Sequence, residues 1–224
     1  MTRLRRYVFA FSCVLLLSAF SGLIGAQDDT SFHGCPVAGD ATDSSRADPA
    51  LNRLKNRTEM PTAGFEKINF EDLAELEIPE GVSKKHRDQW PDQTLKAVEA
   101  QEKRAVQAVG FLVGVKLEGP ESTNCHSAEP AERDFHLWFA NSSDDDKSEA
   151  VVVEITPRIR SQHASWSRTN LKRLVTQGPR IRISGWIMMD PEHPDQVGKT
   201  RKTLWEIHPI LKIEVFSGGR WREL

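Results

Sequence analysis

The sequence predicts a mostly β fold with flanking helices: five strands closing into a small barrel, with one helix between the third and fourth. An irregular, partly helical extension precedes it. Two observations carry this reading. From Val106 onward apolar and polar residues alternate in short runs, interrupted once by a helical repeat. Before that point, residues 27–105 are rich in small, polar and turn-forming types and hold few core candidates.

In chain order, "VGFLVGVKLEG" sets Val109, Phe111, Val113, Val115 and Leu117 on one face, with Gly110 and Gly114 on the other to let a long strand bend. "RDFHLWFAN" places Phe135, Leu137 and Phe139 inward, and "EAVVVEITPR" does the same with Val151, Val153 and Ile155. "SWSRTNLKRLVTQG" switches to helical spacing and stops at Gly178, a natural residue to follow a helix end. "PRIRISGWIMM" and "TLWEIHPILKIEVF" are the last two strands. In the extension, "DPALNRLKNR" predicts a short helix with Asp48 as cap and Pro49 at its first position. "DQTLKAVEAQEKRAVQ" predicts a second helix, with Asp92 as its cap.

Strand, strand, strand, helix, strand, strand over residues 106–217 resembles the OB-fold, a five-stranded Greek-key barrel; another small barrel, or a sheet covered by a helix, is the alternative. The stretches "FHGC", "LNRLKNR", "CH", "DFH", "VVVEITPR", "SGW" and "WEIHP" make the chain similar to a group of uncharacterised exported bacterial proteins. That resemblance spans both halves and implies that they belong to one unit; it implies no activity. The expected organisation is a signal peptide at 1–26, an extension of loops and short helices at 27–105, and the OB-like barrel at 106–224.

The signal-peptide reading comes from Arg3, Arg5 and Arg6, the apolar run after them, and small residues up to Ala26. An uncleaved anchor is the other reading of the same run. The expected mature chain is exported, periplasmic or extracellular, with no membrane span. Two cysteines then remain, Cys35 and Cys125, and an oxidising compartment favours one disulfide between them. "FHGC" and "NCH" also supply His33 and His126, so a tetrahedral zinc site is the competing arrangement.

Candidate chemistry gathers on the polar faces of the strands. Asp134, His136 and Trp138 share one face of the second strand, Glu154 stands on the third, and Glu206 and His208 on the fifth. Asp134, His136, Glu154, Glu206 and His208 are therefore candidate ligands for a divalent metal, since imidazole suits zinc-like ions and carboxylates admit magnesium or calcium. Histidines merely held by neighbouring carboxylates on a half-buried sheet are the alternative. "DPEHP", with Asp190, Glu192 and His193, is a loop at the barrel mouth. No hydrolase, zinc-protease, phosphate-loop or dinucleotide motif is present.

The chain has net charge −2, yet Thr156 to Lys202 holds ten basic residues against three acidic ones. Arg158, Arg160, Arg182, Trp186 and Trp138 are candidate contacts to an anionic or oligomeric ligand, single-stranded nucleic acid first, because guanidinium and indole groups together suit phosphates and stacked bases. Docking of this basic segment onto the acidic first half is the competing use. Three functions follow: a polyanion-binding module, a metal-dependent phosphodiesterase or nuclease, and a structural envelope domain. Enzyme status and oligomeric state stay open at this level.

Overall fold

The computed structural model describes residues 31–41 and 47–224, so the signal-peptide segment lies outside the described residues. No helix among the described residues is long and apolar enough to cross a membrane. The strands are β1 (Glu66–Lys67), β2 (Ala105–Leu117), β3 (Phe135–Ala140), β4 (Val151–Ile155), β5 (Ile181–Met189), β6 (Trp205–Ser217) and β7 (Arg220–Glu223). The α-helices are α1 (Pro49–Lys55), α2 (Phe70–Ala74), α3 (Asp92–Glu102), α4 (Pro157–Arg160) and α5 (Arg168–Gln177).

Strands β2-β3-β4-β6-β5 are neighbours in that order, and β5 pairs back onto β2, closing the barrel. All these pairs are antiparallel except β4–β6. With α5 between the third and fourth barrel strands, this is an OB-like barrel. Helix α5 runs from the Ser167 cap to Gly178, whose φ of 58° few residues other than glycine adopt without strain. Helix α1 starts as expected, with Asp48 accepting from the Ala50 and Leu51 amides. In α3, Asp92 is the first helical residue and makes no side-chain cap; Pro91 precedes it.

The interior is apolar. Leu137, Phe139, Val153, Ile155, Ile183, Trp205 and Ile207 are sealed in one cluster. Phe70, Leu73, Trp90 and Val98 of the extension belong to the same cluster, so both halves share one core. In β2 the inward face is not the one that simple alternation selects. Val106, Ala108 and Leu112 point inward, while Val109 and Phe111 are half-exposed. A bulge between Leu112 and Gly114 then reverses the phase, so that Val115 and Leu117 sit opposite the inward Leu137 and Phe135. Gly110 is required by crowding, since a Cβ there would stand 2.4 Å from the Ala140 carbonyl and 2.7 Å from the Phe139 ring.

Candidate functional site

The barrel's outer face on β3, β4 and β6 is where the predicted ligands meet. His136 lies opposite Glu154, and Val152, on the same face as Glu154, lies opposite Glu206. The i, i+2 spacing puts His208 beside Glu206, with Trp205 and Ile207 turned into the core. Asp134 joins them from the end of the β2–β3 loop. These five side chains face away from the barrel interior, yet all are buried, and His208 is 0% exposed.

Three segments make the cover. The β2–β3 loop brings Glu118, Glu121 and Asn124, and the β5–β6 loop brings Asp190, His193 and Arg201. Helix α1 brings Lys55. Arg201 donates to Asp190 Oδ2 (2.7 Å) and Glu206 Oε1 (2.9 Å). Lys55 reaches Glu121 Oε2 at 3.2 Å. Trp138 lies with its ring 4.5 Å from His136, its indole N–H donating to Thr200 O and Lys147 3.6 Å over its face. It is part of the cover rather than an open stacking platform.

The disulfide fastens this cover. Cys35 and Cys125 are bonded, with Cα atoms 5.8 Å apart. Neither of these two cysteines then offers a thiolate for zinc, and His33 and His126 face Glu132 and Asp40 instead. The "LNRLKNR" helix ties the bridge to the barrel. Asn52 and Asn56 donate to Ala38 O and Val37 O (both 2.9 Å), and Arg57 donates to the carbonyls of Glu102, Ile187 and His208.

Two sets of ligand atoms result, and Glu154 belongs to both. Glu118, His136 and Glu154 each offer an atom within 4.8 Å of the others, as do Asp134, Glu154 and His208. In the first set His136 Nδ1 is 2.7 Å from Glu118 Oε1 and 2.8 Å from Glu154 Oε1. Around His208 the gaps are wider: Nδ1 is 3.4 Å from Glu206 Oε2 and 3.5 Å from Glu154 Oε2, and Nε2 is 3.6 Å from Asp134 Oδ2. Asp134 Oδ2, Glu154 Oε2 and His208 Nε2 are sealed from solvent and have no hydrogen-bond partner. Asn124 holds the other Asp134 oxygen at 2.9 Å.

The electrostatics show a surplus of negative charge. Burial pushes Asp134 up to about 7, with Glu121 adding to it, and Glu206 up to about 7 against the pull of Arg201. Burial and the neighbouring Glu206 raise Glu154 well above the usual carboxylate range. Burial lowers His208 well below its ordinary value. Lys55, although burial opposes its charge, is held above the usual lysine range by Glu121, Glu154, Asp190 and Glu206. Asp190 goes the other way: despite burial, His193 and Arg201 keep it low.

The basic candidates do not assemble into a shared surface. Arg158 is buried and donates to Asn56 Oδ1, Cys35 O and Pro36 O. Arg160 donates to the carbonyls of Pro130, Ala131 and Arg133. Arg182 grips Glu214 and stacks on Trp221. Trp186 donates to Glu59 O beneath Arg57. Sequence reasoning missed Lys55, Glu118 and Arg201 as parts of the site. Residues that reach a site from loops and from a separate helix leave no periodic trace there; only the charges of "GKTRKT", just before "WEIHP", hint at Arg201.

No protein-family model matches the chain, and no curated protein matches it. Among solved structures, the aspartyl tRNA synthetase from Entamoeba histolytica is similar over 57% of this chain at 12% identity and a TM-score of 0.31. The chain spans 20% of that protein's length, and a likeness of this size says nothing about activity.

Proposed function

We propose that this chain is an exported OB-like binding domain whose ligand is a divalent transition-metal ion, held by His208 Nδ1 with carboxylates from Glu154 and Glu206, while Asp134 faces the other ring nitrogen. The observation that carries the reading is the trio of sealed, unpartnered atoms: Asp134 Oδ2, Glu154 Oε2 and His208 Nε2. Buried polar atoms ordinarily find partners. Gaps of 3.4 to 3.6 Å are long for hydrogen bonds. The two on the Nδ1 side, 3.4 Å to Glu206 and 3.5 Å to Glu154, match the roughly 3.4 Å between neighbouring ligands of a tetrahedral ion with bonds near 2.1 Å. An ion on one edge of the imidazole leaves its other nitrogen to a carboxylate, the arrangement that orients metal-bound histidines. The cluster occupies the face and loops by which OB-folds commonly take ligands. Export is supported by the leader-like first 26 residues and by the disulfide.

The test is thermal unfolding of the full mature chain with Zn²⁺, Mn²⁺ or Ca²⁺. At a hundredfold excess over Kd, linkage gives about 2.7 kcal/mol, or a Tm rise of about 5–10 °C. Zn²⁺ should give this rise. His208→Gln should remove it, and Asp134→Asn, which keeps shape but loses the partner of the other ring nitrogen, should weaken it. No rise with any ion overturns the reading. Salt-dependent binding of a single-stranded oligonucleotide, lost in Arg182→Gln, would return the function to polyanion recognition.

A further inference from the structure

The second ligand set points to a two-ion centre. We propose that a second divalent ion sits on Glu118, His136 and Glu154, with the Glu154 carboxylate bridging it to the ion at His208. This rests on the metal reading above and extends it. Two observations lead there, and the charge of the cluster permits it.

Glu154 divides its two oxygens between two imidazoles. Oε1 stands 2.8 Å from His136 Nδ1, and Oε2 stands 3.5 Å from His208 Nδ1. The first of these is a hydrogen-bond distance, so an ion there would take the place of the ring proton; a carboxylate with one oxygen on each imidazole can then bridge two ions, which two-ion centres hold about 3.5–4 Å apart.

The two sets also differ in access. Glu118, His136 and Glu154 line a small cavity of about 60 Å³, whereas Asp134 and His208 do not reach it. That is room for about two waters at their liquid volume of roughly 30 Å³ each. Lys55, Glu121 and His193 line both this cavity and a groove of about 400 Å³ beside α1. The ion at His208 is therefore enclosed by protein, while the second faces water and keeps coordination positions open. In metal sites generally, the closed kind is structural and the open kind meets substrates.

Charge is compatible with a second ion. Glu118, Glu121, Asp134, Glu154, Asp190 and Glu206 surround the centre, against the cations Lys55, Lys116 and Arg201. With neutral histidines the six acids and three cations sum to −3, which one dication brings to −1 and a second to +1, so the charge accommodates two ions as well as one.

Co²⁺ takes the same nitrogen and oxygen ligands as zinc and reports coupling between ions. The full mature chain is loaded with Co²⁺ and freed of excess ion. Bound cobalt is then counted by mass spectrometry, and its electron paramagnetic resonance recorded. Two ions per chain with an exchange-coupled spectrum is the expected result. Glu118→Gln, at the edge of the cluster, should lower the count to one and give the spectrum of an isolated ion. A circular dichroism spectrum like that of the unaltered chain checks its fold. One ion per chain, or two without coupling, overturns this inference and leaves the single-ion reading standing; no bound ion overturns both.

Discussion

The two faces of the β3–β4–β6 sheet are equally hidden from water and are closed by opposite means. Inward, Leu137, Phe139, Val153, Trp205 and Ile207 pack against one another. Outward, His136, Glu154, Glu206 and His208 are as well buried, under Arg201, Asp190 and the loops that carry them. Apolar burial contributes roughly 25 cal/mol per Å². Buried charge returns its desolvation cost only with good partners, and apolar replacements are often as stable. A face that needed only to be sealed would do better with valines. On the proposed reading the outer face has its residues for what they bind, and the inner face for holding the strands together.

The largest test of that contrast is on the inner face. Trp205 is fully buried, and its indole N–H donates to Glu77 O at 3.0 Å. Trp205→Ala should lower stability by about 3–5 kcal/mol in urea unfolding. The loss should be the same with and without Zn²⁺, because the inner face plays no part in binding. A loss that Zn²⁺ reverses would merge the two faces into one function.

On the outer face, Arg201 is the sealed cation between Asp190 and Glu206, its side chain 1% exposed. Arg201→Met keeps much of the volume and strands two carboxylates, which should cost about 3 kcal/mol. Unfolding with and without Zn²⁺ sharpens the comparison: here added ion should recover part of the loss, since positive charge returns to the cluster. A cost under about 1 kcal/mol would mean that the outer charges are not sealed.

Which parts of this were legible beforehand follows from the range of the forces. Alternation is local, so the five barrel strands and α5 could be read, as could the i, i+2 pairing of Glu206 with His208 on a shared outer face. The phase of β2 could not, because one extra residue at the Leu112–Gly114 bulge reverses it, and Gly114 marks a bend in the sequence without marking a change of phase. Nor could the cover be read. Charge alone marks Arg158 as a phosphate contact, but its acceptors include the backbone carbonyls of Cys35 and Pro36, more than a hundred residues earlier. A count of charges cannot tell a guanidinium facing water from one that closes a loop.

Arg182 and Glu214 give the smallest and most pH-sensitive test, since they stand on an outer face that the cover does not reach. Arg182 keeps 23% of its side chain exposed, and its Nε lies 2.7 Å from Glu214 Oε2. The Arg182 hydrogen bond, helped by Lys212, holds the Glu214 carboxyl below its usual range. A carboxyl held low when folded contributes stability above its unfolded pKa, about 4.3. That contribution disappears as pH falls through the folded value. Arg182→Gln should therefore cost about 1 kcal/mol at pH 7. The gap from the unaltered chain should shrink steadily below about pH 4, measured by urea unfolding at several pH values. A gap that ignores pH would assign the loss to packing on Trp221, 4.7 Å from the guanidinium. Stability on this open stretch would then come from apolar contact, as it does inside the barrel, and only the sealed cluster would remain as the ionic part of the outer face.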